Sequence, residues 1–381
     1  MEKQRDRAAP VRRKLLRGGV DFPFLALTLV LLMFGLVMMF SASYAYAYYH
    51  ENHDSFYFIR KQAVWAVFGL VMMFLVTRVD YHWLHRFVWP MLGVTYILLV
   101  AVLFLPAHNG KGIHRWIYIG SFNFQPSEVA KFAVILVFAH LIAKYYGKMK
   151  SFRYGVLPFL LILGGIAALM VKEPHFSGTI LILTIGFALM LVGGTRMRWF
   201  AAGVGLAAVG IALNIKKIAY ASGRITYWLH PEKDPTNNGW QTLQSLYGIG
   251  SGGLMGLGLG NSRQKYLYIS EPQNDFIFAV VCEELGFVGA TIVILLFALL
   301  VWRGFVIAMR SPDKFGAMLA VGLTIQVGLQ ALLNIAVVTN TVPNTGISLP
   351  FFSYGGTSLT MLLFEMGLVL SVSRFSSVEQ T

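Results

Sequence analysis

The chain has 381 residues, of which 56% are hydrophobic and 13% charged, with a mean hydropathy of +0.64 and a net charge of +14. Soluble domains carry about 25% charged residues, so the composition excludes a disordered protein, a fibrous repeat and an ordinary cytosolic enzyme. It indicates a chain whose main solvent is lipid, where an excess of Lys and Arg is first a matter of topology and only then of nucleic acid.

A helix crossing about 30 Å of hydrocarbon needs about 20 apolar residues. Ten stretches qualify: 22–42, 63–79, 87–105, 127–145, 155–171, 178–194, 199–215, 275–302, 315–339 and 356–373. The first has the outline of a signal peptide, with a basic segment before it and Ala45-Tyr46-Ala47 after it. Its apolar run from Phe22 to Phe40 exceeds the roughly 7–15 residues of a cleaved core, so it reads as a retained span. An even number of spans puts both termini on one side. With the N-terminus inside, the inner segments hold 19 of the 31 Lys and Arg residues and the short outer loops hold 5. The positive-inside rule therefore places both termini in the cytoplasm. The expected fold is an all-α integral membrane bundle of ten transmembrane helices over 21–374. A basic cytoplasmic tail (1–20) precedes it and a short one (375–381) follows. Most of the +14 is then topology and contact with anionic membrane lipids, not a nucleic-acid surface.

Ionisable residues inside spans are costly, so each marks a possible site. Glu128 and Lys131 are spaced i,i+3 near the outer end of the fourth span, close enough to pair on one face. They serve either a structural ion pair or a site. Between the seventh and eighth spans runs one long outer loop, 216–274, and loops of that length are usually functional. Its glycines from Gly248 to Gly260 lack the context of a nucleotide-binding motif and suit close backbone packing or re-entry beside a cavity. Its cations, among them Arg224, Arg263 and Lys265, form either a solvated surface or a funnel for an anionic lipid head group.

Asp275 opens the eighth span. It is either a helix N-cap or a carboxylate held at the water–lipid boundary, as a general base or a cation ligand. Glu283, Glu284 and Glu365 lie inside spans and suit interhelical hydrogen bonds. The one cysteine, Cys282, permits no intrachain disulfide, and no histidine pair has the companions of a zinc site. No Ser-His-Asp arrangement, nucleophile elbow or internal repeat is present.

At these residues the chain resembles the SEDS family of bacterial cell-wall proteins (FtsW, RodA, SpoVE), nearer its division and sporulation branch. The resemblance runs from about Asp21 to Arg374. It rests on His114-Arg115-Trp116-Ile117, on Gln125-Pro126-Ser127-Glu128 leading to Lys131, and on Glu173-Pro174-His175. It continues through Gln241–Gly260, Ser262-Arg263-Gln264-Lys265, Glu271-Pro272-Gln273-Asn274-Asp275 and Leu349-Pro350-Phe351-Phe352-Ser353. Where many relatives carry Asp, this chain has His175, so that position is given no acidic role.

The resemblance implies a glycosyltransferase that polymerises lipid II on the outer face of the cytoplasmic membrane. Its implied partners are a single-pass class B transpeptidase and other division proteins. It puts the essential aspartate on Asp275 and substrate contacts on Arg115, Glu128, Lys131, Arg224 and Lys265, with Ser127, Glu283, Asn334 and Ser353 in structural roles. It leaves room for a divalent cation, Mg²⁺ or Mn²⁺, on Asp275. A lipid II transporter and a non-catalytic scaffold are the rival readings of the same bundle.

Overall fold

A computed structural model describes residues 18–105, 115–119, 122–203, 228–233 and 239–375. Asp21 starts the first helix: its side chain accepts the Phe24 N–H at 3.0 Å, and Pro23 sets the first turn. The helices are α1 (Phe22–His50), α2 (Tyr57–Arg78), α3 (Val88–Phe104), α4 (Pro126–Tyr145), α5 (Leu157–Lys172) and α6 (Phe176–Val192). They continue with α7 (Trp240–Gly252), α8 (Ile277–Met309), α9 (Lys314–Val338) and α10 (Gly356–Ser373).

Nine of the ten expected spans coincide with described helices. The exception is 199–215, where 197–203 is helical and the remainder lies outside the described residues. Among the described residues seven helices are long and apolar enough to cross a membrane, counting with α5 the turn at Phe152–Gly155, and α3 and α6 are shorter apolar helices of 17 residues. The chain is thus a multi-pass membrane protein. At 29 and 33 residues, α1 and α8 are about 44 and 50 Å long, well beyond the hydrocarbon thickness.

The fold is all-helical as expected, with one short addition: β1 (Ile117–Ile119) and β2 (Phe122–Phe124) pair antiparallel, Ile117 opposite Phe124 and Ile119 opposite Phe122. This hairpin leads directly into α4. The long loop has an element of its own, because α7 lies within it and packs on α8. The tails at 1–17 and 376–381 lie outside the described residues.

α4 is the central helix, buried against α3, α6 and α9 along most of its length. α2 and α10 approach closely through glycine. A Cβ on Gly69 would sit 2.6 Å from Leu363 Cδ1, and one on Gly367 would sit 2.6 Å from the Met73 carbonyl oxygen. Small residues let helices pack tightly where lipid supplies no hydrophobic drive.

The glycine-rich run has a defined task. Gly286, at φ +66° and ψ −167°, interrupts α8. The helix hydrogen bonds lost there are replaced from outside. Leu257 N–H and Gly258 N–H donate to the Glu283 and Glu284 carbonyls at 3.0 and 2.9 Å, while Phe287 and Val288 N–H donate to the Gly253 and Leu254 carbonyls at 2.9 and 3.1 Å. The chains approach so closely that a Cβ on Gly286 would lie 2.3 Å from Gly256 N, and one on Gly252 would lie 2.0 Å from the Cys282 carbonyl oxygen. The run therefore satisfies a broken helix, as buried backbone requires.

Candidate active site

The first turns of α4, α6 and α10, together with the residues just before α8, face one cavity of about 580 Å³. Arg115, Ser127, Glu128, Lys131 and Asp275 all line it. Five of the residues singled out from sequence are thus brought together from distant segments.

Asp275 stands two residues before α8. The N-cap position is Phe276, without a side-chain cap, so the simple capping role is not what the structure gives Asp275. Its carboxylate faces the cavity instead. The backbone beneath it is held firmly. Asn334 Nδ2 donates to the carbonyls of Asp275 and Ile347, both at 2.7 Å. The Ser353 hydroxyl donates to the Asn274 carbonyl and accepts the Leu349 N–H, each at 2.7 Å. Gly346 adopts φ +70°, and a Cβ there would stand 3.1 Å from Asp275 Oδ2. Asn334 and Ser353 therefore fix where the carboxylate stands, and Gly346 leaves it room.

Electrostatics make Asp275 a weaker acid than a surface carboxylate. Burial pushes it up to about 6, repulsion from Glu271 adds to that, and the Arg115 guanidinium opposes. Arg115 acts on two more groups. Burial raises Glu173 to about 7 against the pull of Arg115. Burial lowers His175 to about 3, with Arg115 and Lys131 adding to the shift. Arg115 Nη2 also donates to the Pro174 carbonyl, which fixes it against the α5–α6 turn.

The Glu128–Lys131 pair forms at 2.9 Å with both side chains nearly buried. Ser358 Oγ donates to Glu128 at 3.1 Å, and Lys131 donates to Gln330 Oε1 at 3.4 Å. Gln330 Nε2 passes on to Ser348 at 3.1 and 3.2 Å. One network thus joins α4, α9, α10 and the segment between the last two. A buried pair adds little net stability, because desolvation offsets the attraction; its consequence here is the fixed shape of the cavity wall.

Lys265 is corrected. It does not line the cavity. It is 1% exposed and bound to Glu284 at 3.0 Å, to the Gly260 carbonyl at 2.6 Å and to Ser41 Oγ at 3.3 Å. Glu283 beside it accepts from the Arg263 and Gln264 N–H groups at 2.9 and 3.3 Å and from the Ser262 hydroxyl. These glutamates hold the loop and also join helices: Glu284 accepts from Ser41 Oγ of α1 at 2.7 Å, and Glu283 from Ser251 Oγ of α7 at 3.4 Å. Glu365 joins helices too, accepting from Gln326 Nε2 at 2.6 Å. The glycine run is also absent from the cavity wall, whose glycines are Gly178, Gly346, Gly355 and Gly356. Arg224 lies outside the described residues.

Sequence reasoning missed Lys61, Glu271 and His175, all of which line the cavity. Lys61 looked like an ordinary cation at a span boundary. Glu271 was visible only as part of a motif. Among the described residues no three His, Cys, Asp or Glu side chains gather as a metal cage.

Residues 23–378 match the family model of the FtsW, RodA and SpoVE cell cycle proteins, and the chain belongs to that family. It is similar to stage V sporulation protein E of Bacillus subtilis (strain 168), with 41% identity over 93% of this chain and 97% of the relative. It is also similar to the probable peptidoglycan glycosyltransferase FtsW of Geobacter sp. (strain M18), with 39% identity over 93% of this chain and 97% of the relative. Among solved structures, it resembles a chain from a study of how a peptidoglycan synthase complex coordinates polymerization and crosslinking. That match has a TM-score of 0.77 and 26% identity, covering 93% of this chain and 98% of the other. The rod shape determining protein RodA of Thermus thermophilus matches with a TM-score of 0.68 and 26% identity over 93% and 97%.

Proposed function

We propose that this chain is a peptidoglycan glycosyltransferase that polymerises lipid II at the outer face of the bacterial cytoplasmic membrane. It does so as a ten-span protein with both termini inside, beside a class B transpeptidase and other division proteins. One observation carries the reading: the cavity that holds Asp275 also holds the cations Lys61, Arg115 and Lys131. A general base and a counter-charge for a pyrophosphate are the two demands of this reaction.

The acceptor sugar's hydroxyl oxygen bonds to the anomeric carbon of the donor. The bond from that carbon to the pyrophosphate breaks, and the polyprenyl pyrophosphate leaves with the electron pair. Asp275 takes the hydroxyl proton. With its affinity for protons raised to about 6, it is ionised at neutral pH yet more basic than a surface carboxylate. Lys61 and Arg115 face the departing pyrophosphate, and the first-turn N–H ends of α4, α6 and α10 add positive potential. Glu128 and Lys131 hold the wall against which the sugars lie. Asp275 and Glu271 are the carboxylates that would hold a divalent cation here, and the cation would supply Lewis-acid stabilisation of the leaving group.

The test uses labelled lipid II in detergent, where sidedness is absent, with the purified chain and a co-expressed transpeptidase. Glycan ladders that vanish with Asp275→Ala are the expected result. No ladders from the wild type, together with lipid II translocation in liposomes, would identify a transporter instead.

A further inference from the structure

One side of the cavity carries polar groups that the reaction above does not use. His175 precedes α6 and Ser177 lies in its first turn, and both line the cavity with Gly178. The imidazole is held flat against the helix start. A Cβ on Gly178 would stand 2.7 Å from His175 Cε1 and 2.9 Å from Nε2, so only glycine at 178 admits this ring position. The His175 backbone is locked as well, donating to the Met170 carbonyl at 3.0 Å and accepting from Thr179 N–H and Oγ at 3.1 and 2.8 Å.

The ring itself is unsatisfied. His175 is 8% exposed, and its Nδ1 is sealed in protein without a hydrogen-bond partner. That leaves Nε2 as the nitrogen with access to the cavity. An orphaned buried acceptor is tolerated better than an orphaned N–H, which favours the tautomer carrying its proton on Nε2. Ser177, also 8% exposed, has no hydrogen-bond partner for its hydroxyl among the described residues. Two neutral donors thus stand side by side at the start of α6.

Their neutrality decides the ligand. Burial, with Arg115 and Lys131 nearby, keeps the imidazole uncharged, its proton affinity lowered to about 3. Phosphate charge is met elsewhere in the cavity, by Lys61 and Arg115. Uncharged donors fixed in place match an uncharged oxygen, and the sugars of the substrate carry many.

We propose that His175 and Ser177 form a subsite for a neutral sugar oxygen of the substrate, an acetamido carbonyl or a hydroxyl. This rests on the glycosyltransferase reading above, and it makes the α6 start a saccharide-recognition element distinct from the pyrophosphate contacts.

Binding separates the possibilities. Fluorescent lipid II is bound to the full chain in detergent and competed with undecaprenyl pyrophosphate, which has the same tail and phosphates but no sugar. The double variant His175→Ala/Ser177→Ala is expected to bind lipid II about tenfold more weakly, the loss of one or two ordinary hydrogen bonds. Undecaprenyl pyrophosphate should compete unchanged, which also shows that the variant is folded. His175→Asn, which keeps a neutral N–H donor, should recover part of the loss. Unchanged lipid II affinity in the double variant, or equal losses for both ligands, would overturn the subsite. A wild-type chain that binds undecaprenyl pyrophosphate but shows no preference for lipid II would overturn the functional reading itself.

Discussion

Two clusters of ionisable residues, about ten positions apart in sequence, are treated in opposite ways by this fold. Around Lys265, every charge is spent: Glu284, Ser41 and a carbonyl surround the ammonium, while backbone N–H groups and Ser262 surround Glu283. Around Asp275, the carboxylate faces an open cavity, and the hydrogen bonds from Asn334 and Ser353 end on the backbone beneath it. The first arrangement holds a loop against a broken helix. The second leaves a charge facing the cavity. Satisfied polar groups build structure, and groups left open at a cost in stability point to function.

Single substitutions probe both clusters. The largest expected effect on stability is from Lys265→Met, which strands the buried Glu284 carboxylate. It should destabilise the protein by about 3–5 kcal/mol, read as a large fall in the thermal midpoint in detergent. A small fall would mean that the cluster is not the anchor described. Gly286→Ala should follow at about 2–3 kcal/mol, because it places a Cβ at φ +66° and 2.3 Å from Gly256 N. The same assay checks it.

Asp275→Asn should act in the opposite direction. The folded carboxyl titrates near 6 against an ordinary 3.8, so folding favours its neutral form. That favourable contribution is complete below pH 3.8 and is lost as pH rises through about 6. At pH 7.5 the Asn variant should therefore be more stable by on the order of 1–3 kcal/mol, and at pH 4 the two proteins should melt alike. A destabilised Asn variant at pH 7.5 would contradict the description of this carboxylate as an unspent, costly charge.

Much of this was legible in the sequence, for identifiable reasons. Apolar runs marked nine described helices because lipid demands continuous hydrophobicity and satisfied backbone. Hydropathy could not see that α1 runs on to His50 or that α2 starts at Tyr57, since those turns lie beyond the apolar stretch. Nor could it show that Gly286 breaks α8, because a lone glycine in a helical pattern is usually tolerated. For the site, Arg115, Glu128, Lys131 and Asp275 were recognisable by motif and by the cost of their placement. Lys265 had the same credentials and proved structural, because no spacing rule tells a cation facing a cavity from one facing a buried glutamate. His175 went unassigned since its meaning depends on the absence of partners, which is a property of the folded chain.

The central claim is that Asp275 is the base of a polymerisation reaction. It is tested most directly by the rate of lipid II polymerisation by the purified chain with its transpeptidase, comparing wild type with Asp275→Asn across pH 5–8. The wild-type rate should rise through about pH 6 as the carboxyl ionises. The Asn variant, folded and at least as heat-stable, should fall by about 10²–10⁴-fold at every pH, the usual worth of a general base. An Asn variant that retains wild-type rates, with the same rising limb near pH 6, would contradict it.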